Sequence, residues 1–292
     1  MITEKQREER KLYIGSSDAA AILGLSRWAT QLSCWAEKTG QIVPEDISDE
    51  LRIKVGNKAE QMIAELFMEE TGKTVHKVNE TVYHPDYPFI ACNLDRRIVG
   101  EKALLEIKTA SAYKSEEWAD NNIPAEYIVQ VYHQMACTGW NKAYIACLIG
   151  GNQEFVIREI DRHEPTIIDM IRKEVYFWET FVLPKVMPVQ ISCFDSPTLY
   201  SLFPEATTPE IELNDEADQL IEQIEALGAD YNNLYGQLEQ KKNQLKAILK
   251  EAECGKSSRY TVTWKQQIKK AYTVKESKTR VLRIKENKEE KE

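Results

Sequence analysis

Residues Ala103-Leu104-Leu105-Glu106-Ile107-Lys108-Thr109 read as a strand that cannot be buried unless its two charges are answered. Side chains alternate along a strand, so Leu104, Glu106 and Lys108 share one face while Leu105 and Ile107 take the other. A carboxylate and an ammonium in a buried strand are costly unless they pair or bind a metal. Upstream lies a second β-prone run, Phe89 to Val99, which carries Asp95 and is joined to the first through Gly100-Glu101-Lys102. The two runs predict a hairpin. In that hairpin Asp95 and Glu106 supply hard oxygen ligands with no thiolate or imidazole beside them, a set suited to Mg²⁺, with Mn²⁺ as substitute. The backbone carbonyl of Ile107 would complete the oxygen shell. Lys108 is placed to orient a water, to stabilise developing negative charge, or to act as a base after desolvation. The competing reading is an ordinary Glu-x-Lys pair of solvated cross-strand charges.

Composition narrows the class. The chain has 292 residues, 42% apolar and 29% charged, enough for one sizeable domain and an appendage. No apolar run reaches the ~18 to 20 residues of a membrane span. The first ten residues are charged and lack the apolar centre of a signal peptide. The six cysteines are scattered, with no Cys-x-x-Cys pair, which argues against zinc, iron–sulfur clusters and a disulfide framework. These features predict a cytoplasmic protein with no membrane partner.

Charge is uneven along the chain. Residues 255–292 hold twelve Lys and Arg against five acids, a balance of +7 that leaves −16 for residues 1–254. Contact with nucleic acid in the acidic body would therefore be confined to a local cleft. The basic tail is open to phosphate contact or to simple solvation.

Punctuation divides the first part into elements. Ser16-Ser17-Asp18 before an alanine run predicts a capped helix, and a helix start can also receive an anion. Thr30 to Gly40 predicts a second helix. A third starts at Ser48 and runs to Thr71, with Ile53, Gly56, Ile63, Leu66 and Phe67 inside. Residues 74–84 read as a strand, Ala125 to Thr138 as a helix opened by Pro124, and Ala143–Ile149 with Glu154–Ile160 as a hairpin around Gly150-Gly151-Asn152. Pro165 to Leu183 is helical. The expectation is a mixed α/β sheet with helical cover over 1–190, then a linker at 191–210.

Residues 211–254 differ in kind. Leu213, Ala217, Leu220, Ile224, Leu227, Tyr231, Leu234, Leu238, Lys241, Leu245, Ile248 and Ala252 alternate four and three apart, and all but Lys241 are apolar. Such spacing predicts a long helix of coiled-coil type, either self-associating or packed on its own domain. The segment 255–292 reads as a small basic β element, with strands at Arg259–Lys265, Tyr272–Val274 and Val281–Ile284.

Together these residues resemble a known family. Asp95, Glu106-Ile107-Lys108 and the helical Glu60 match the PD-(D/E)xK nuclease pattern. Four further stretches make the chain similar to the YqaJ-type viral recombinases, relatives of phage lambda exonuclease: Ile14 through Trp28, Gly56 with Glu60, Trp118 through Pro124, and Tyr127 through Met135. The likeness covers roughly residues 12–160. It implies a restriction-endonuclease-like core and Mg²⁺-dependent digestion of double-stranded DNA from its ends. In the family the 5′-ended strand is consumed, leaving a 3′ overhang for a single-strand annealing protein of phage or prophage recombination. By position, Asp95 and Glu106 would bind metal, Lys108 would be catalytic, and Glu60 and Gln130 would complete the site, Glu60 as a further ligand. Ser16, Ser17 and Arg27 would contact DNA phosphates. The chain departs from the pattern at Leu94, where a proline is usual, and at Gln134, which follows Gln130 where RecB-like relatives carry a tyrosine. An endonuclease of the same fold and a non-catalytic DNA-binding or coiled-coil scaffold are the alternatives.

Overall fold

The computed structural model describes residues 8–44, 46–151, 153–208, 210–268, 271, 276 and 282–284. The chain divides into two compact units, Met1–Phe203 and Pro204–Glu292.

The first unit opens with helices α1 (Ser16–Ile22), α2 (Gln31–Lys38) and α3 (Leu51–Thr71). At α1 the cap differs from the expectation. Ser16 is already helical, Gly15 is the N-cap, and Asp18 reaches back to accept the Gly15 N–H at 2.8 Å. Thr30 caps α2 as expected, its hydroxyl accepting from the Ser33 N–H. Helix α3 begins at Leu51 behind Glu50, later than Ser48, and ends where Gly72 takes a left-handed φ of +68° that a side chain would resist.

Nine strands follow in the described residues of the two units. In the first unit they are β1 (Val75–Lys77), β2 (Val82–Tyr83), β3 (Ala91–Cys92), β4 (Arg96–Ile98), β5 (Ala103–Ala110), β6 (Lys142–Ile149) and β7 (Glu154–Asp161). The main sheet has the order β1-β4-β5-β6-β7, with β5 and β6 parallel and the other pairs antiparallel. A parallel pair needs a crossover, supplied here by α4 (Ala125–Thr138). The run 74–84 is two strands, β1 in the main sheet and β2 paired with β3. The run 89–99 is likewise split between β3 and β4, with Asp95 at the break. Its continuity is lost because Asn93-Leu94-Asp95 leave the ladder as the chain passes between sheets.

Both sheet faces are covered. Leu104, Ile145 and Cys147 pack with Val131 and Met135 of α4 and with Ile167 and Ile171 of α5 (Glu164–Phe177). Leu105, Ile107 and Ala146 pack on the other face against Ile63 and Phe67 of α3. Burying a side chain such as Phe67 stabilises the fold by roughly 1.5–3 kcal/mol. Of the five inner positions expected on α3, only Ile63 and Phe67 are fully buried. Gly56 lies near Thr109 Oγ1, but a Cβ there would sit at an ordinary 3.7 Å, so the glycine is not required by space. The region 191–210, read as a linker, holds helix α6 (Ser196–Leu202), and its buried Asp195 accepts a hydrogen bond from the Thr30 hydroxyl.

The second unit contains α7 (Asp215–Leu249), capped by the Asn214 side chain, and a hairpin of β8 (Cys254–Lys256) with β9 (Thr261–Thr263). Strand β8 was not anticipated from the sequence; Tyr272–Val274 and Val281 lie outside the described residues, and Leu282 to Ile284 form no strand. Among the described residues no helix is long and apolar enough to cross a membrane.

Candidate active site

The β4–β5 ladder ends at Arg96 opposite Leu105, so β5 runs on past its neighbour. Within an extended strand the N–H and C=O of one residue face the same side. The Ile107 N–H points toward the missing end of β4, where Asp95 Oδ2 accepts it at 2.8 Å. The Ile107 carbonyl opens on that same side, beside Asp95. Asp95 and the Ile107 backbone thus meet where the sequence places them, at the end of β4.

Glu106 is 2% exposed and faces α4, as alternation requires. Its Oε1 accepts from Lys108 Nζ at 2.6 Å and from Gln130 Nε2 at 2.6 Å. Its Oε2 accepts from Gln134 Nε2 at 2.7 Å. A carboxylate offers about four lone-pair positions, and these three donors leave one open on Oε2. Lys108 Nζ also donates to Gln130 Oε1 at 2.9 Å and lies 5.1 Å from the centre of the Tyr127 ring. The structure therefore brings Asp95, Glu106, Lys108 and Gln130 together.

Electrostatics sort their roles. Burial and the neighbouring Glu106 push the Asp95 carboxyl up to about 7, against the opposing pull of Lys108 and the Ile107 N–H. Burial alone would lower Lys108, yet the Glu106 carboxylate and its hydrogen bond hold the amine above its usual value. Lys108 is thus a cation here, which favours charge stabilisation over the base role. Two carboxylates forced together with one lysine leave an excess of negative charge that a divalent cation would relieve. The donors fit such an ion: they are hard oxygens, and Mg²⁺ sites commonly use one or two carboxylates plus water and substrate oxygens. Among the described residues no three His, Cys, Asp or Glu side chains cluster as a metal site, so the protein's share would be two carboxylates and a carbonyl.

Glu60 lies on the opposite side of β5, and its carboxylate accepts from the buried Arg96 guanidinium. Arg96 Nη1 also donates to the Asp95 carbonyl at 2.7 Å, and Nη2 to Gln61 Oε1 at 3.1 Å. Glu60 therefore reaches the centre through the backbone of Asp95. At the helix start only Ser17 is exposed, and Ser16 is buried. Arg27 pairs with Glu117 at 2.9 Å. Neither is joined to the Glu106 cluster by a described contact.

Three participants were given no site role by the sequence. Gln134 lies one helical turn after Gln130, on the same face by the i, i+4 rule, which was the available signal. Tyr127 lies three residues before Gln130 on that face. Arg96 carried no signal beyond its place beside Asp95.

Comparison with known proteins gives the family and the fold. Residues 5–141 match the model of the YqaJ-like viral recombinase domain. The chain is 38% identical over 279 residues to the uncharacterized protein YqaJ of Bacillus subtilis (strain 168), covering 92% of this chain and 85% of that one. Its fold is similar to the alkaline exonuclease LHK-Exo of Laribacter hongkongensis, with a TM-score of 0.53 at 18% identity over 63% of this chain and 94% of that one. The same enzyme in complex with dAMP gives a TM-score of 0.54 at 19% identity, with the same coverage.

Proposed function

Since the chain belongs to the YqaJ-like viral recombinase family, we propose that it is a metal-dependent deoxyribonuclease degrading linear double-stranded DNA from its ends. Digestion would run 5′ to 3′ and leave 3′ single-stranded overhangs for an annealing protein in phage-type recombination. The observation that carries this reading is the convergence of Asp95, Glu106 and Lys108 where β4 parts from β5. The exonuclease named among the fold relatives, seen also with dAMP, lends support.

Asp95, Glu106 and the Ile107 carbonyl would hold Mg²⁺, or Mn²⁺ in its place. A cation bound there would polarise a phosphoryl oxygen and acidify a water. Lys108, held as a cation by Glu106, would attract the scissile phosphate and offset negative charge developing on it. Gln130 fixes the direction of Lys108 and Glu106 together. Glu60 positions Asp95 through Arg96.

End-labelled linear duplex bearing 5′ phosphates, incubated with Mg²⁺, should be digested, and EDTA should stop it. A closed circle of the same sequence should survive; its cleavage would replace the end-dependent reading with an endonuclease. Wild-type rates from Asp95→Ala or Lys108→Ala would discredit the site.

A further inference from the structure

The Lys108 ammonium has three N–H donors. It donates to Glu106 Oε1 at 2.6 Å and to Gln130 Oε1 at 2.9 Å. The Tyr127 ring stands on a further side, its centre 5.1 Å from Nζ, within the ~6 Å over which an aromatic face attracts a cation. Tyr127, Gln130 and Gln134 follow one another at three and four residues on α4, so a single helix face meets the Lys108–Glu106 pair. The ring takes the ammonium, Gln134 takes the carboxylate, and Gln130 takes both.

Tyr127 is held from behind. Its ring stacks on Trp118, with centres 5.6 Å apart and planes 26° from parallel. Trp118 is fully buried at the end of the short helical turn Ala112–Trp118, and its carbonyl accepts from Arg158 Nη2 of β7 at 3.0 Å. An indole close-packed in the core and tied to a strand is a rigid backing, so it fixes the plane of the tyrosine. Burial, and then the neighbouring Glu126 carboxylate, push the Tyr127 phenol up to about 12. At neutral pH the ring is therefore uncharged and meets Lys108 through its π face.

We propose that Tyr127 is a positioning residue for Lys108: its ring, backed by Trp118, holds the ammonium in place when a divalent cation takes up Glu106. This deepens the nuclease reading above and rests on it. Without a metal, Glu106 is the charged anchor of Lys108. A cation on the same carboxylate offsets that charge and repels the ammonium, because like charges a few ångströms apart oppose each other. The anchors that remain are neutral, the Gln130 side-chain carbonyl and the Tyr127 face. A carboxylate at position 127 would also hold the lysine, but it would compete with Asp95 and Glu106 for the cation. An aliphatic side chain would fill the space and attract nothing. The aromatic face gives Lys108 an anchor that adds no net charge to the site.

The test uses the full chain and has two arms. In digestion of end-labelled linear duplex with Mg²⁺, Tyr127→Leu should lower kcat by about tenfold or more while KM moves little. Tyr127→Phe, which keeps the face, should recover most of that loss. Adding Tyr127→Leu to Lys108→Met should slow digestion no further, because a residue that acts through Lys108 then has nothing to act on. Where Tyr127→Leu fails to fold, Tyr127→Met replaces it. The second arm needs no activity. Protein labelled with carbon-13 at the lysine ε-carbons should show one resonance moved upfield by the tyrosine ring and missing from Lys108→Met. That shift should survive added Mg²⁺ and Tyr127→Phe, and vanish in Tyr127→Leu. A Tyr127→Phe as slow as Tyr127→Leu, additive losses in the double variant, or a ring shift lost on adding Mg²⁺ would overturn the proposal alone. A wild type that digests no DNA would overturn the nuclease reading and the proposal with it.

Discussion

Gln134 donates to Glu106 Oε2 from a fully buried position, while Gln130, one helical turn earlier, donates to Oε1. A single face of α4 thus grips both oxygens of the carboxylate and leaves one direction for a cation. Groups that orient a metal ligand are commonly worth 10–100-fold in activity or metal affinity. Gln134→Leu should therefore lower the digestion rate by about that factor and raise the Mg²⁺ concentration for half-maximal rate. An unchanged Mg²⁺ dependence would show that Gln134 only fills space.

Lys108 bears the positive charge nearest the carboxylates, and its removal acts on two quantities. Lys108→Met should slow hydrolysis by about 10² or more, since a preorganised charge for the transition state is lost. It also leaves Asp95 and Glu106 facing each other without a counter-charge. Melting of the metal-free variant should then be more sensitive to added Mn²⁺ than that of the wild type. Equal Mn²⁺ stabilisation of the two proteins would mean that the ion binds away from these carboxylates.

Glu60 acts on the centre at one remove, through its contact with Arg96 and through its charge beside Asp95. Breaking a partly buried pair costs about 3 kcal/mol when one partner is left uncompensated. Glu60→Gln keeps a hydrogen-bond acceptor for Arg96, so it should lose less stability than Glu60→Ala in urea melts and retain more activity at low temperature. If both variants are stable and both inactive, Glu60 acts directly in the proposed metal site.

The strand alternation was legible because one face had to be apolar and the other was not: Leu105 and Ile107 enter the α3 side, and Glu106 faces α4. Helix ends at Gly72 and Gly139 were equally plain, since both take the left-handed conformation that glycine favours. The strand break at Asp95 was not, for Ile90 to Ile98 has the composition of one strand, and only the sheet it joins decides where it turns. Gln134 and Arg96 were hidden for a related reason. A buried polar residue is identified by its partners across space, and composition does not name them.

His133 and Glu174 form a pair fully buried between α4 and α5, with Nδ1 3.0 Å from Glu174 Oε1 and Nε2 3.0 Å from the Ala91 carbonyl. Both neighbours are acceptors, so the pair must hold one proton beyond a neutral imidazole and a carboxylate. Burial alone would discharge the imidazole, but Glu174 and then Cys137 raise it well above its ordinary value. A folded-state value above the unfolded one, about 6.5, gives stability that is full below that pH and is lost as pH rises through the folded value. His133→Gln should therefore cost about 3 kcal/mol at pH 6, and the gap to wild type should shrink in alkaline solution. Denaturant melts of both proteins from pH 6 to 10 measure this gap. A gap independent of pH would mean that the pair carries no extra proton. Because His133 also fixes β3 beside the Asp95 turn through the Ala91 carbonyl, the variant's nuclease activity should fall at high temperature first, where that tether is the weaker support.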